Sequence, residues 1–224
     1  MANKNYFFDD GYQEHLVEGA FFEGEEGIPC LLNLDNCEIP TNLIPFSKAR
    51  SCPKKTGYVH FYEHDIRWRQ VMTSTDKYLD LLKQFDGVIS PDPTIIIGKS
   101  RCLHATSTYM NRAVAYCLQR KGIPVIPNIR WGDETTFGFA FAGVPKHSIV
   151  AISTHGAIRR DRNTNNYLRN CFKNGLREMI RRLEPKTVIV HGFMPNDIFV
   201  EFKDATIFVR FPSEYEKTHG KGAD

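Results

Sequence analysis

The hydrophobic pattern of this chain changes character near residue 57. Before it, short apolar groups such as Ile28 to Leu34 are interrupted by Pro29, Pro40, Pro45 and Pro53, and no period is sustained. Residues 1–57 therefore read as an irregular arm wrapping a body. Beyond it, β-branched and aromatic runs alternate with amphipathic stretches: Tyr58–Tyr62, Gly87–Ser90, Pro124–Pro127, Ser148–Ser153, Thr187–Val190 and Ala205–Val209. Strands alternating with helical segments generate a parallel sheet through right-handed crossovers. The pattern predicts one layered α/β domain over residues 58–213, with a mostly parallel sheet of about six strands. Six strands leave an open sheet and an incomplete barrel equally available.

The intervening segments carry helix signals. Asp76 to Phe85 places Tyr78, Leu79, Leu82 and Phe85 on one face, with Thr75 available as N-cap. A second helix spans Thr106 to Arg120 and stops before Gly122, a residue suited to the left-handed position past a helix end. The third runs from Asn165 to Leu183, with Leu168, Phe172, Leu176, Met179, Ile180 and Leu183 at helical spacing. A short helix opened by Pro195 links the last two strands. After Ser213, Lys217, Gly220 and Gly222 predict a disordered tail over 214–224.

Charge adds an asymmetry. The chain totals +3, yet residues 1–27 hold seven carboxylates against Lys4, a net of −6 that leaves +9 for the remainder. The arm is acidic and the body basic, an arrangement that can shield a binding surface or lie solvated on it. Met1 to Asp10 lacks the basic and apolar regions of a secretory signal, and no apolar run reaches the ~18 residues of a membrane span, so the expected setting is the cytoplasm. The six cysteines form no C-x-x-C pair; Cys30, Cys37 and Cys52 would make a thiolate site only if their loops folded together.

Ligands of parallel α/β folds bind beyond the carboxyl ends of the strands, where loops vary and helix N-termini point. Glu63, His64 and Asp65 follow the first predicted strand, and Pro91 and Asp92 the second. Asn128, Arg130, Trp131, Asp133 and Glu134 follow the third; Thr154, His155 and Gly156 the fourth; His191 and Gly192 the fifth; Arg210, Pro212, Ser213 and Glu214 the sixth. The carboxylates Glu63, Asp65 and Asp92 are candidate ligands of a divalent cation. Asp133, Glu134, His155 and His191 are candidate acids and bases. Asn128, Arg130, Trp131, Thr154, Gly156 and Ser213 are candidate ligand contacts, Arg130 as a bidentate anion clamp and Trp131 as a stacking surface. Plainer readings stand beside these: Asp133 caps a short helix, Trp131 fills the core, and the histidines are structural. On the third helix, Arg169, Lys173, Arg177 and Arg181 recur every fourth residue, preceded by Arg159, Arg160 and Arg162; this stripe suits a phosphate backbone or an ordinary solvated face. No phosphate loop, dinucleotide fingerprint, nucleophile elbow or H-E-x-x-H is present.

The runs Ile39-Pro-Thr-Asn-Leu-Ile-Pro-Phe46, Val59-His-Phe-Tyr-Glu63, Gly87-Val-Ile-Ser-Pro-Asp92, Val125-Ile-Pro-Asn-Ile-Arg-Trp-Gly-Asp-Glu134, Ser153-Thr-His-Gly156 and Phe211-Pro-Ser-Glu214 resemble a family of bacterial, plasmid and phage proteins defined as a domain of unknown function. The resemblance covers roughly residues 38 to 215 and implies a mobile-element setting, hence a host-cell cytoplasm if the gene is carried by a phage. It carries over no catalytic residue. Three functional classes are expected from the residues. One is an accessory hydrolase acting on a phosphate or glycosidic bond of a nucleotide or nucleic acid, with a divalent cation as the cofactor that its carboxylates would bind. The second is a non-catalytic accessory protein that sequesters a nucleotide signal or binds a host protein. The third is a DNA-binding protein using the helix at 165–183.

Overall fold

The structure, a computed structural model, describes residues 13–33, 37–155, 158 and 166–219. Seven parallel strands follow one another in space in the order they occur in the chain. Strands β1 (Leu43–Pro45), β2 (Tyr58–His60), β3 (Gly87–Ile89) and β4 (Val125–Ile126) pair as one run. Strands β5 (Ile149–Ser153), β6 (Thr187–His191) and β7 (Ile207–Phe211) pair as a second. A parallel bridge between Asn128 and Ala151 joins the two runs. There the Ile129 amide donates to the Ala151 carbonyl and the Ala151 amide to the Pro127 carbonyl, both at 2.8 Å.

This order explains the shape. A doubly wound sheet reverses its strand order once, so that helices cover both faces. Here the order never reverses, so right-handed crossovers place every helix on one side and the bare face curls onto itself. The inner cluster accordingly draws Leu43, Tyr58, Ile89, Ile126, Ala151, Ile189 and Phe211 from all seven strands. Among the described residues no ladder joins β1 to β7, and the result is an incomplete barrel.

Strand alternation sets the two faces. Val59, Val88 and Val125 point outward, packing with Trp68, Val71, Leu82, Val114 and Leu118. Val150, Ile152, Val188 and Val190 do the same against Phe172, Leu176, Met179 and Ile198. Each such fully buried aliphatic contributes about 1.5–3 kcal/mol. The two long helices are α1 (Arg101–Arg120), between β3 and β4, and α2 (Asn166–Leu183), between β5 and β6. Gly122 lies just past α1 at φ +78°, as its position predicts. Gly175 of α2 faces the Trp131 indole so closely that a Cβ would stand 2.1 Å from Nε1. None of the described helices is long and apolar enough to cross a membrane.

Three expectations need correction. The arm at 1–57 contains regular structure: a hairpin pairs Phe22–Glu23 with Ile28–Pro29, and β1 belongs to the main sheet. At three residues, bounded by prolines, β1 is too short to show a period. Thr75 does not cap a helix; its hydroxyl donates to the Val71 carbonyl at 2.7 Å, and the expected single helix divides into a 3₁₀ turn, Thr75–Tyr78, and an α turn, Leu79–Leu82. The tail continues as α3 (Glu214–His219). Its start is a reciprocal capping box, in which the Ser213 amide donates to the Glu216 carboxylate (2.9 Å) and the Glu216 amide to Ser213 Oγ (3.3 Å).

Candidate functional site

Along each inward-facing column the chemistry changes toward the carboxyl ends of the strands. Tyr58 is followed two residues later by His60 and then Tyr62; Ile126 is followed by Asn128, Ala151 by Ser153 and Ile189 by His191. The barrel is therefore apolar below and polar at its mouth.

The polar layer is a connected network on one wall. The Tyr62 hydroxyl donates to Asn128 Oδ1 (3.0 Å), and Asn128 Nδ2 donates to Asp92 Oδ1 (2.8 Å). Arg130 Nη1 donates to Asp92 Oδ2 at 2.7 Å. Behind them the buried Arg112 of α1 donates to the carbonyls of Asn128, Ala140 and Ala142 and to Asn111 Oδ1. Burial lowers the Arg112 guanidinium to about 10, and burial followed by the Asp92 charge pushes the Tyr62 phenol well above its usual range. Tyr62 is thus a neutral donor and Arg112 a cation at any physiological pH.

The opposite wall is unsatisfied. His191, the last residue of β6, is 2% exposed, and neither ring nitrogen has a hydrogen-bond partner among the described residues. Its ring stacks on Tyr62 at 4.6 Å and lies 4.8 Å from that of His60. His60 Nδ1 accepts from the Tyr62 amide (3.2 Å), which leaves Nε2 as the protonated, unpartnered nitrogen of the neutral ring. Burial, then repulsion from His155, lowers His191 to about 3; burial, then His191, lowers His60 well below the usual histidine range. Gly192, at φ +104°, turns the chain directly after His191, and a Cβ there would stand 2.8 Å from Thr154 Oγ1.

Between the walls lies a cleft of about 350 Å³ lined by Tyr62, Asp92, Arg130, His155, His191 and Ser213, among others. An apolar pocket of about 330 Å³ adjoins it, formed by Ile95, Ile97, Ile129, Trp131, Leu168 and Phe172. Asp92, Thr94, Arg130 and Ser153 line both, so the ion pair stands where the two compartments meet.

Of the residues singled out in the sequence, Glu63, Asp65, Asp92, Arg130, His155, His191 and Ser213 line the cleft. Trp131 lines the apolar pocket while packing on Phe172 at 5.2 Å. Asn128 is buried behind Asp92 and positions it. Thr154 is buried too, lining a side crevice of about 200 Å³ beside His155. Asp133 and Glu134 line neither compartment: Asp133 Oδ1 accepts from the Thr135 amide and hydroxyl, capping a 3₁₀ turn, and Glu134 is exposed. Gly156 and Arg159, Arg160 and Arg162 lie outside the described residues.

The expected metal set does not converge. Glu63 accepts from the amide and hydroxyl of Ser47, Asp65 from the amide and hydroxyl of Thr94, and Asp92 from Asn128 and Arg130. Among the described residues no three or more His, Cys, Asp or Glu side chains are grouped to hold a metal ion, and this includes Cys30, Cys37 and Cys52. The basic stripe on α2 is matched by carboxylates: Arg169 pairs with Asp197, Lys173 and Arg177 with Glu201, and Arg181 with Glu178.

His60, Tyr62, Asn111 and Arg112 also belong to the site and were not singled out from the sequence. His60 and Tyr62 lie two and four residues beyond the inward Tyr58, and Asn111-Arg112 is a polar break in the apolar face of α1.

The chain matches a domain of unknown function (DUF4417) over residues 22–212. It is 31% identical over 161 residues to the Gene 1 protein of Mycobacterium phage L5, covering 68% of each chain. It is 27% identical over 157 residues to the Gene 1 protein of Mycobacterium phage D29, covering 69% of this chain and 56% of that one. No solved structure matches it.

Proposed function

This chain belongs to the DUF4417 family, a domain of unknown function, and we propose that it is an accessory enzyme that binds a nucleotide at the barrel mouth and hydrolyses its phosphate or glycosidic bond. The observation that carries this reading is the pair of compartments meeting at Asp92–Arg130. A nucleotide has the same division, one charged end and one flat apolar end. The guanidinium of Arg130 is held through Nη1 by one Asp92 oxygen, which anchors it at the mouth and leaves further donors for an anion. The base would enter between Ile95, Ile97 and Phe172, with Trp131 as the stacking wall. His155 is exposed at the rim and is the side chain placed to move a proton. His191, held neutral, suits hydrogen bonding better than proton abstraction.

Turnover of nucleoside mono- and triphosphates by the purified protein, lost in His155→Ala with unfolding behaviour unchanged, is the expected result. Binding without turnover of any nucleotide, RNA or DNA across a panel of divalent cations would end the enzymatic reading.

A second reading, sequestration of a nucleotide signal, is favoured by one observation. Asp92 is engaged by Arg130 and Asn128, and His191 donates no hydrogen bond to a carboxylate among the described residues, so its imidazole is not oriented for acid–base work. A nucleotide that raises Tm and is recovered chemically unchanged selects it. The DNA-binding alternative is weakened, since each of the four stripe cations of α2 pairs with one of three carboxylates, Asp197, Glu201 or Glu178.

A further inference from the structure

Buried polar atoms without partners are uncommon, and each costs about 1–3 kcal/mol unless something fills its valence. Among the described residues three of the four such atoms belong to one place, the His60–His191 pair under the mouth. Their chemistry is determined. The Tyr62 amide occupies His60 Nδ1, so His60 Nε2–H is a donor. His191 is a neutral ring with one donor and one acceptor, and it is a residue of the cleft lining. The unsatisfied set is two donors and one acceptor.

That set discriminates among ligands. A carboxylate or an ionised phosphate oxygen can accept but has no proton for the free acceptor nitrogen, and a phosphate that keeps a proton has a better partner for its charged oxygens in Arg130. A ketone oxygen has the same deficiency. A hydroxyl both donates and accepts, and two neighbouring hydroxyls would satisfy both nitrogens of His191, whose ring lies 4.8 Å from that of the fully buried His60. Tyr62, stacked on His191 and itself lining the cleft, adds a flat apolar surface for the carbon face of a sugar ring. We propose that His191, backed by His60, is a hydroxyl-binding floor beneath the Arg130 anion site, and that the cleft therefore takes a phosphorylated sugar, free or within a nucleotide. The inference rests on the reading of the cleft as a phosphate-ligand site and adds the part of the ligand that reading leaves open.

Three probes of increasing size separate the contributions: inorganic phosphate, ribose 5-phosphate and uridine 5′-monophosphate, each titrated calorimetrically into the full chain. Ribose 5-phosphate is expected to bind at least about tenfold more tightly than phosphate, because its hydroxyls fill the orphaned valences. In ring-nitrogen NMR spectra of the wild-type protein, the bare nitrogen of His191 should shift on adding ribose 5-phosphate and stay unmoved on adding phosphate. His191→Phe keeps the stack on Tyr62 and removes unsatisfied atoms. It should fold with undiminished Tm and lose the tenfold preference while binding phosphate as before.

If phosphate binds through Arg130 but ribose 5-phosphate binds no better and leaves the His191 signals in place, the floor is refuted and the anion site stands. If none of the three probes binds, the cleft is not a phosphate site and both readings fall together. The wild-type spectra decide the question even if His191→Phe fails to fold.

Discussion

The two walls of the mouth are both built from buried polar side chains, and their hydrogen-bonding groups are treated in opposite ways. On the Arg130 wall each polar group is used: Tyr62, Asn128, Asp92 and Arg130 form a chain of bonds between 2.7 and 3.0 Å. On the His191 wall two imidazoles are buried with three of their four ring nitrogens bare. A saturated network has no further valence for a ligand except at its exposed end and serves chiefly to hold Arg130 in place. An unsaturated pair lowers the stability of the unliganded fold and is relieved when a partner arrives. Polar burial alone therefore does not mark a binding surface; unfilled valence does.

The largest effect expected from this contrast is acid sensitivity. The folded protein holds His191 near pKa 3 and His60 also low, whereas the unfolded chain titrates its histidines near ~6.5. Between those values the unfolded state binds more protons, so stability is complete above about pH 6.5 and falls as the pH drops toward 3. Each imidazole contributes about 1.4 kcal/mol per pH unit to that slope. Urea unfolding across this range measures it, and His191→Phe should remove about one proton of the slope. A flat profile would mean that the rings are solvated.

Next in size is the saturated wall. Asp92→Ala leaves Asn128 and Arg130 without their acceptor and should destabilise by about 3 kcal/mol, as loss of one member of a buried, hydrogen-bonded pair does. A loss below about 1 kcal/mol by urea titration would show the network to be dispensable. Smaller again is His155→Ala, expected within about 0.5 kcal/mol of the parent because the ring is exposed, while ligand turnover is abolished. The smallest effect belongs to the surface of α2. Glu201→Gln frees Lys173 and Arg177, yet Tm should not change, because exposed pairs of this kind contribute little. Salt-dependent DNA binding appearing in that variant alone would show that the carboxylate masks a nucleic-acid surface.

Sequence patterning conveyed much of this architecture, for reasons that differ along the chain. Strands β2 to β6 were legible because their outward valines and isoleucine pack under helices, and β7 because it is an apolar run that sets Phe208 against the same outer cluster. The first strand was hidden by its length and its prolines. The concentration of chemistry at the strand ends was legible too, since Asp92, Arg130, His155 and His191 all reach one cleft. His60 and Tyr62 were obscured because they lie at the end of β2 and just past it, in an apolar run where only knowledge of the curl tells inward from outward. Asp133 and Glu134 attracted attention by charge density alone, and the local cap at Thr135 engages the first of them. The capping box Ser213-Glu-Tyr-Glu216 was present in the sequence as a helix start.

The join between the four-stranded and three-stranded runs is two hydrogen bonds wide, at Ile129 and Ala151. Arg130 lies on one side of that join, and His155 and His191 on the other. The gape of the mouth is thus governed by the narrowest part of the sheet. Any ligand gripped by both sides would act as a splint across it, slowing amide hydrogen exchange at Ile129 and Ala151 while leaving the longer ladders of β5 to β7 as they were.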